Sequence, residues 1–155
     1  MPGQFKYRAF ISYSHSNERW ARWLHRALET YRVPRRLVGR ATEFGPVPER
    51  LAPVFRDRDE LPSATSLGEK VEEALRRSDN LVVICSPAAA KSPWVNQEIL
   101  SYKRLGKADR IFCLIVDGEP GSSANPATAD QECFPNALIY KMGADGQLTT
   151  EKGEP

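Results

Sequence analysis

The chain has 155 residues, of which 22 are Lys or Arg and 20 are Asp or Glu, for a formal net charge of +2. That length supports one domain with a substantial core, and so small a charge excess gives no footing for nucleic acid or an anionic membrane as partner. Three cysteines, Cys85, Cys113 and Cys133, lack any C-x-x-C spacing and argue against disulfides and a thiolate metal site; with no leader-like segment and no bilayer-length apolar run, the reading is a reduced, cytoplasmic domain.

Short β-rich runs alternate with amphipathic helices, the pattern of a parallel sheet covered on both faces. The first strand is predicted at Tyr7 to Tyr13, centred on Phe10 and Ile11. A helix over Glu18 to Tyr31 follows, N-capped by Ser16 or Asn17, with Trp20, Trp23, Leu24, Ala27, Leu28 and Tyr31 as its apolar face and Pro34 marking its end. Residues 32–50 are rich in Arg, Pro and Gly without a period, which suits a surface insertion or a functional flap. Leu51 to Phe55 reads as a second strand, and Arg56 to Thr65 as a polar loop. A capping box of Ser66 and Glu69 then opens a helix that turns Leu67, Val71, Ala74 and Leu75 inward and ends near Ser78.

Leu81 to Cys85 is a near-continuous apolar run, as expected of a strand buried on both faces. Ser92 and Pro93 occupy N-cap and first-turn positions of the next helix, which Gly106 is placed to end. Ile111 to Val116 is a fourth strand, and Ala137 to Tyr140 an expected edge strand. No terminal helix is visible, although a sheet covered on both faces should be closed by one; the chain is therefore expected to be a single domain, residues 1–155, excised from a longer protein and lacking its last helix.

Within the helix that begins at Pro93, Trp94, Val95, Ile99 and Tyr102 form the apolar face, and Glu98 falls four residues after Trp94 and three after Val95. A helical Glu ordinarily reaches solvent, but a carboxylate on the edge of an apolar stripe is costly unless it is used. In a doubly wound sheet of strand order 2-1-3-4-5, ligands bind beyond the carboxyl ends of the strands where the order reverses, between strands one and three. The loops there are Tyr13 to Asn17 and Ser86 to Trp94, and Glu98 follows the second by one helical turn. Phosphate-cradling G-x-x-x-x-G-K-S/T and G-x-G-x-x-G motifs are missing, and the acidic strand ends of a receiver domain are replaced by Ser12 and Ser86. His15 is a candidate ligand contact in a loop that more often only solvates such a side chain, and His25 is expected to be exposed. Asp57 and Asp59 interleave with Arg56 and Arg58, which favours a charge-balanced loop over a metal site.

Four blocks in order, Phe10-Ile-Ser-Tyr-Ser14, Val54-Phe-Arg-Asp57 leading into Leu61-Pro62, Val83-Ile-Cys-Ser-Pro87, and Ser92-x-Trp94-x-x-x-Glu98, resemble the Toll/interleukin-1 receptor (TIR) domain family, in particular its bacterial branch. Cys133-Phe-Pro-x-Ala-Leu138 is similar to the family's last strand. The resemblance implies a flavodoxin-like three-layer sandwich with a central parallel sheet of about five strands. It further implies that Glu98 matches the catalytic glutamate of TIR enzymes that cleave NAD at its nicotinamide–ribose bond, with Ser14, His15, Asp57, Ser86 and Trp94 meeting the substrate. NAD is then the substrate and no cofactor or metal is called for. The loop Arg56 to Ser66 corresponds to the family's self-association loop, although Pro62-Ser63 stands where the family often has Pro-Gly. By the same analogy the protein is a bacterial immune or stress effector activated by oligomerisation. The alternatives are a non-catalytic homotypic signalling scaffold and an N-glycosidase acting on nucleotides.

The chemistry asks little of the residue inventory. Nicotinamide leaves NAD as a neutral amide, so bond cleavage needs no strong general acid, unlike ordinary glycoside hydrolysis with its two carboxylates. One preorganised Glu can stabilise the developing oxocarbenium ion.

Overall fold

The computed structural model describes residues 6–43, 45–56 and 68–152. Its centre is a parallel four-stranded sheet in the order β4-β1-β5-β6, built from β1 (Tyr7–Ser12), β4 (Val54–Arg56), β5 (Ser78–Cys85) and β6 (Ile111–Ile115). The period-two alternation of a strand divides β1 between two cores. Ala9, Ile11 and Tyr13 face α1 (Glu18–Thr30) together with Val54, Ile84 and Ala21. Phe10 faces the other way, with Leu81, Val83 and Cys85, onto α2 (Glu69–Arg76) and α4 (Pro93–Arg104). The result is the three-layer flavodoxin-like arrangement the alternation predicts.

Two of the helices begin at serine side-chain caps. In α4, Ser92 is the N-cap and accepts a hydrogen bond from the Val95 N–H at 3.2 Å, Pro93 occupies the first turn, and Gly106, at φ +82°, takes the left-handed conformation just beyond the C-cap. A one-turn helix, α3 (Pro87–Ala90), precedes it; Ser86 caps it by accepting from the Ala89 N–H at 3.0 Å. For Ser92→Ala, the lost cap is expected to cost about 1 kcal/mol, read as a lower urea midpoint with unchanged slope. An unchanged midpoint would mean that packing of Trp94, Val95 and Ile99 alone holds the helix start.

Several elements differ from expectation. The stripe of α1 that meets the sheet is Ala21, Leu24 and Leu28, while Trp20, Trp23 and Tyr31 are exposed. The helix is rotated because its opposite flank is tied to β4: Glu29 accepts from the Val54 N–H at 3.0 Å, and His25, expected to be solvated, accepts from Arg56 Nε at 3.2 Å and contacts Glu29 at 3.1 Å. Residues 32–50 contain a small hairpin, β2 (Ala41–Thr42) with β3 (Gly45–Pro46), closed at its base by a bridge between Arg32 and Arg50. The capping role of Ser66 and the inward Leu67 lie outside the described residues, and Gly68 is the N-cap of α2. Strand β5 begins at Ser78, earlier than the apolar run alone indicates.

The expected fifth strand does not form among the described residues. Asn136–Ile139 is a single helical turn, α5, and Tyr140 opens a hairpin, β7 (Tyr140–Met142) with β8 (Leu148–Lys152). Its backbone partners lie on α4 and not on β6: Asn96 Oδ1 accepts from the Ala137 N–H at 2.8 Å, and Lys103 Nζ donates to the carbonyls of Ala137 and Tyr140. That leaves β6 as a sheet edge, where Phe112 is 57% exposed and Cys113 is also exposed although the run is wholly apolar around it.

Candidate active site at the sheet switch point

The strand order reverses between β1 and β5, so the crevice at their carboxyl ends is flanked by the loops after Ser12 and after Cys85. Alternation along β1 turns Ser12 to the same face as Phe10, towards α4. There Ser12 Oγ donates a hydrogen bond to Glu98 Oε1 at 2.9 Å, joining residues 86 positions apart in the chain. Glu98 is only 2% exposed, and Ser12 is fully buried. Val95, Ile99 and Tyr102 of the same helix are all buried, so the stripe on which Glu98 falls is indeed core. A carboxylate so placed is stable only when hydrogen-bonded, and the Ser12 hydroxyl meets part of that need.

The two crevice loops are pinned to each other. Asn17, at the N-cap position of α1, makes no side-chain cap bond; its Oδ1 accepts from Ser86 Oγ at 2.6 Å. Ser86 is thereby used twice, as donor to Asn17 and as acceptor for the Ala89 N–H. Ser14 is buried two residues beyond Ser12, its carbonyl accepting from the Asn17 N–H at 2.8 Å, and His15 is exposed on the same turn. Trp94 is packed in the α4 core with 7% of its surface accessible. Asp57 and most of the Arg56 to Ser66 loop lie outside the described residues.

Ser12 and Asn17 were not singled out as site residues by sequence. The available signal for Ser12 was parity: once Phe10 is assigned inward, the hydroxyl two residues on must share its buried face. Nothing local marked Asn17, since an Asn before a helix reads first as a cap. A separate cavity of about 400 Å3 opens at the opposite, amino-terminal edge of the sheet, between Leu28, Val82, Phe112 and the residue 45–48 turn. Among the described residues, no group of three or more His, Cys, Asp or Glu side chains is able to hold a metal ion, and no helix is long and apolar enough to cross a membrane.

Comparison with known proteins gives this geometry a family. The model of the TIR domain matches residues 48–135, more than half of the chain. A protein from Actinoplanes sp. named NAD(+) hydrolase ApTIR is 33% identical over 148 residues, which cover 90% of this chain and 18% of the relative, so the chain spans less than a fifth of that protein's length. A solved structure described as the TIR domains of the activated Roq1 resistosome, recognizing the pathogen effector XopQ, aligns at TM-score 0.48 and 17% identity over 77% of this chain and 61% of that one. The sheet order and the match over residues 48–135 lead to one assignment: the chain belongs to the TIR domain family.

Proposed function

We propose that the protein is an NAD+ nucleosidase that breaks the bond between nicotinamide nitrogen and ribose C1′, with Glu98 as the catalytic carboxylate. The observation that carries the reading is the buried Glu98 carboxylate, hydrogen-bonded to Ser12 at the carboxyl end of β1 beside the switch point. The similarity to a protein named as an NAD+ hydrolase supports it.

In this reading the C1′–N bonding pair leaves with the pyridinium nitrogen, which becomes neutral, and the ribose carbon is left as an oxocarbenium ion. Glu98 opposes that positive charge in a site from which water is largely excluded, where a fixed charge acts most strongly. Water then adds at C1′ and loses a proton, giving ADP-ribose; attack by the adenine ring gives a cyclic product instead. Ser12 Oγ donates to the carboxylate and fixes its orientation. Ser14 and His15 border the ribose and diphosphate, Ser86 holds the facing loop, and Trp94 lies one helical turn before Glu98; by family analogy Asp57 also meets the substrate.

The test is release of nicotinamide from NAD+ by the purified domain, quantified by chromatography. Release at a rate above a heat-inactivated control supports the assignment, and none at high protein concentration overturns it. By family analogy the site is completed between neighbouring domains through the Arg56 to Ser66 loop. Turnover per molecule is therefore expected to rise with protein concentration or crowding; a rate per molecule that stays constant over a hundredfold range counts against assembly. One observation favours a second reading, a non-catalytic TIR–TIR scaffold: at 2% exposure Glu98 is closed off enough to serve as an internal tie. In that case self-association persists while nicotinamide release is absent.

A further inference from the structure

We propose that the groove formed by Arg19, Trp20 and Trp23 with Ser16 and Asn17 binds the adenosine half of a dinucleotide, the two indoles holding the adenine and Arg19 its phosphate. The proposal rests on the NAD reading of the Glu98 site and extends it to the other end of the substrate. The groove has a volume of about 500 Å3 and is bounded by those five residues.

Four observations point to a flat, anionic ligand. First, Trp20 and Trp23 are 46% and 57% exposed, an unusual cost for adjacent indoles on a small domain. The exposure follows from the rotation of α1: the Ala21, Leu24, Leu28 stripe faces the sheet, His25 and Glu29 are held by β4, and positions 20 and 23 project from the other flank. Second, the rings stand 6.0 Å apart at 87°. Perpendicular indoles form a corner in which a planar base can stack on one ring and meet the edge of the other. Third, Arg19 is exposed beside them and makes no ion pair among the described residues, so its guanidinium is available to phosphate oxygens.

The fourth observation is continuity with the carboxylate. Asn17 lines the groove and also accepts from Ser86 at the end of β5, while its N–H reaches the carbonyl of Ser14, two residues from the Ser12 that holds Glu98. A dinucleotide with its ribose at Glu98 therefore has a polar path past Ser14 and Asn17 to the aromatic corner. Ser16 and Asn17 supply neutral polar groups along that path, which suits the sugar and diphosphate between two bases. An apolar helix as occupant would leave Ser16, Asn17 and Arg19 facing hydrocarbon.

The decisive experiment titrates AMP and ADP into the protein and follows tryptophan fluorescence. AMP lacks the nicotinamide half that the Glu98 site takes, so a change it causes reports on Trp20 and Trp23 and not on Trp94, which is buried beside Glu98. AMP is expected to quench the emission saturably. Trp23→Ala is expected to weaken AMP about tenfold, Trp23→Phe to restore most of the affinity, and Arg19→Ala to weaken ADP while leaving adenosine unaffected. In NAD turnover the Trp23→Ala effect falls on KM and leaves kcat nearly as it was, because the adenine contact is the same in ground and transition states.

Trp23 and Arg19 are both exposed, so these substitutions leave the core packing in place. Emission unchanged by millimolar AMP, or a Trp23→Ala enzyme with the parental KM, overturns the subsite. So does a Trp23→Ala protein whose AMP affinity is intact but whose self-association is lost, which would make the corner an interface between copies. AMP binding without any NAD cleavage overturns the hydrolase reading and leaves the groove standing as an adenine-nucleotide site.

Discussion

Replacing Glu98 by Gln is expected to lower nicotinamide release from NAD by about three orders of magnitude while leaving the fold in place. A carboxylate about 4 Å from the developing ribosyl cation, at an effective dielectric near 20, contributes roughly 4 kcal/mol, which corresponds to about a thousandfold in rate. Gln has the same shape, and its amide oxygen is able to accept from Ser12 Oγ, so the substitution removes the charge and keeps this contact. Glu98→Ala is a poorer probe, because it leaves a void where a fully buried side chain stood and the buried Ser12 hydroxyl without this acceptor. Thermal unfolding of the Gln variant close to the parental temperature, together with lost turnover, separates chemistry from stability. A Gln variant that cleaves NAD at the parental rate removes Glu98 from the mechanism, whatever the fold resembles. Ser12→Ala adds a second reading of the same contact: it keeps the charge but releases its orientation, and its rate is expected to fall between those of the parent and Glu98→Gln.

The parts of this site that could be read from sequence are those specified by residues close together in the chain. Ser92, Pro93 and Gly106 delimit α4 by cap chemistry alone, and Glu98 stands out against the Trp94, Val95, Ile99 and Tyr102 stripe at fixed helical spacing. The parallel sheet is equally local, since β1, β4 and β5 each centre on apolar residues and have a helix next in the chain. What could not be read depends on how one element is rotated or seated against another. A helical wheel with Trp20, Trp23, Leu24, Leu28 and Tyr31 cannot say which third of it meets the sheet; the Glu29 and His25 contacts to β4 decide that. Ala137 to Tyr140 has the composition of a strand, yet the Asn96 and Lys103 side chains capture its backbone groups from 41 and 34 residues away before β6 can pair with them. Ser12 and Glu98, 86 residues apart, meet only because β1 and α4 pack on one face of the sheet.

Glu132→Gln is expected to be among the most destabilising single changes in the loop that follows β6, costing roughly 3–4 kcal/mol near neutral pH. Glu132 is 7% exposed, and its two oxygens gather an unusual set of donors from both ends of that loop. Oε2 accepts from the N–H groups of Gly121, Cys133 and Phe134 at 3.2, 3.0 and 3.3 Å, and Oε1 from Ser123 Oγ and N–H at 2.7 and 3.4 Å. Burial pushes this carboxyl up, but the hydrogen bonds from Ser123, Phe134 and Gly121 outweigh it and hold the group below its ordinary value of 4.5. Because the folded-state value is depressed, the stability it supplies is complete above pH of about 4.5 and disappears as pH falls through the lower folded value. Gln turns an amide donor towards N–H groups that need an acceptor, so the variant lacks the contribution at every pH. The urea midpoints of parent and variant are therefore expected to differ most at pH 7 and to converge as the solution is acidified below the ordinary carboxylate range. At neutral pH the loss corresponds to roughly 10 °C in melting temperature for a domain of this size. Equal midpoints at pH 7, or a gap that stays constant down to pH 3, would show that the loop is held by the packing of Cys133, Phe134 and Ala137 against α4 and that the carboxylate is incidental.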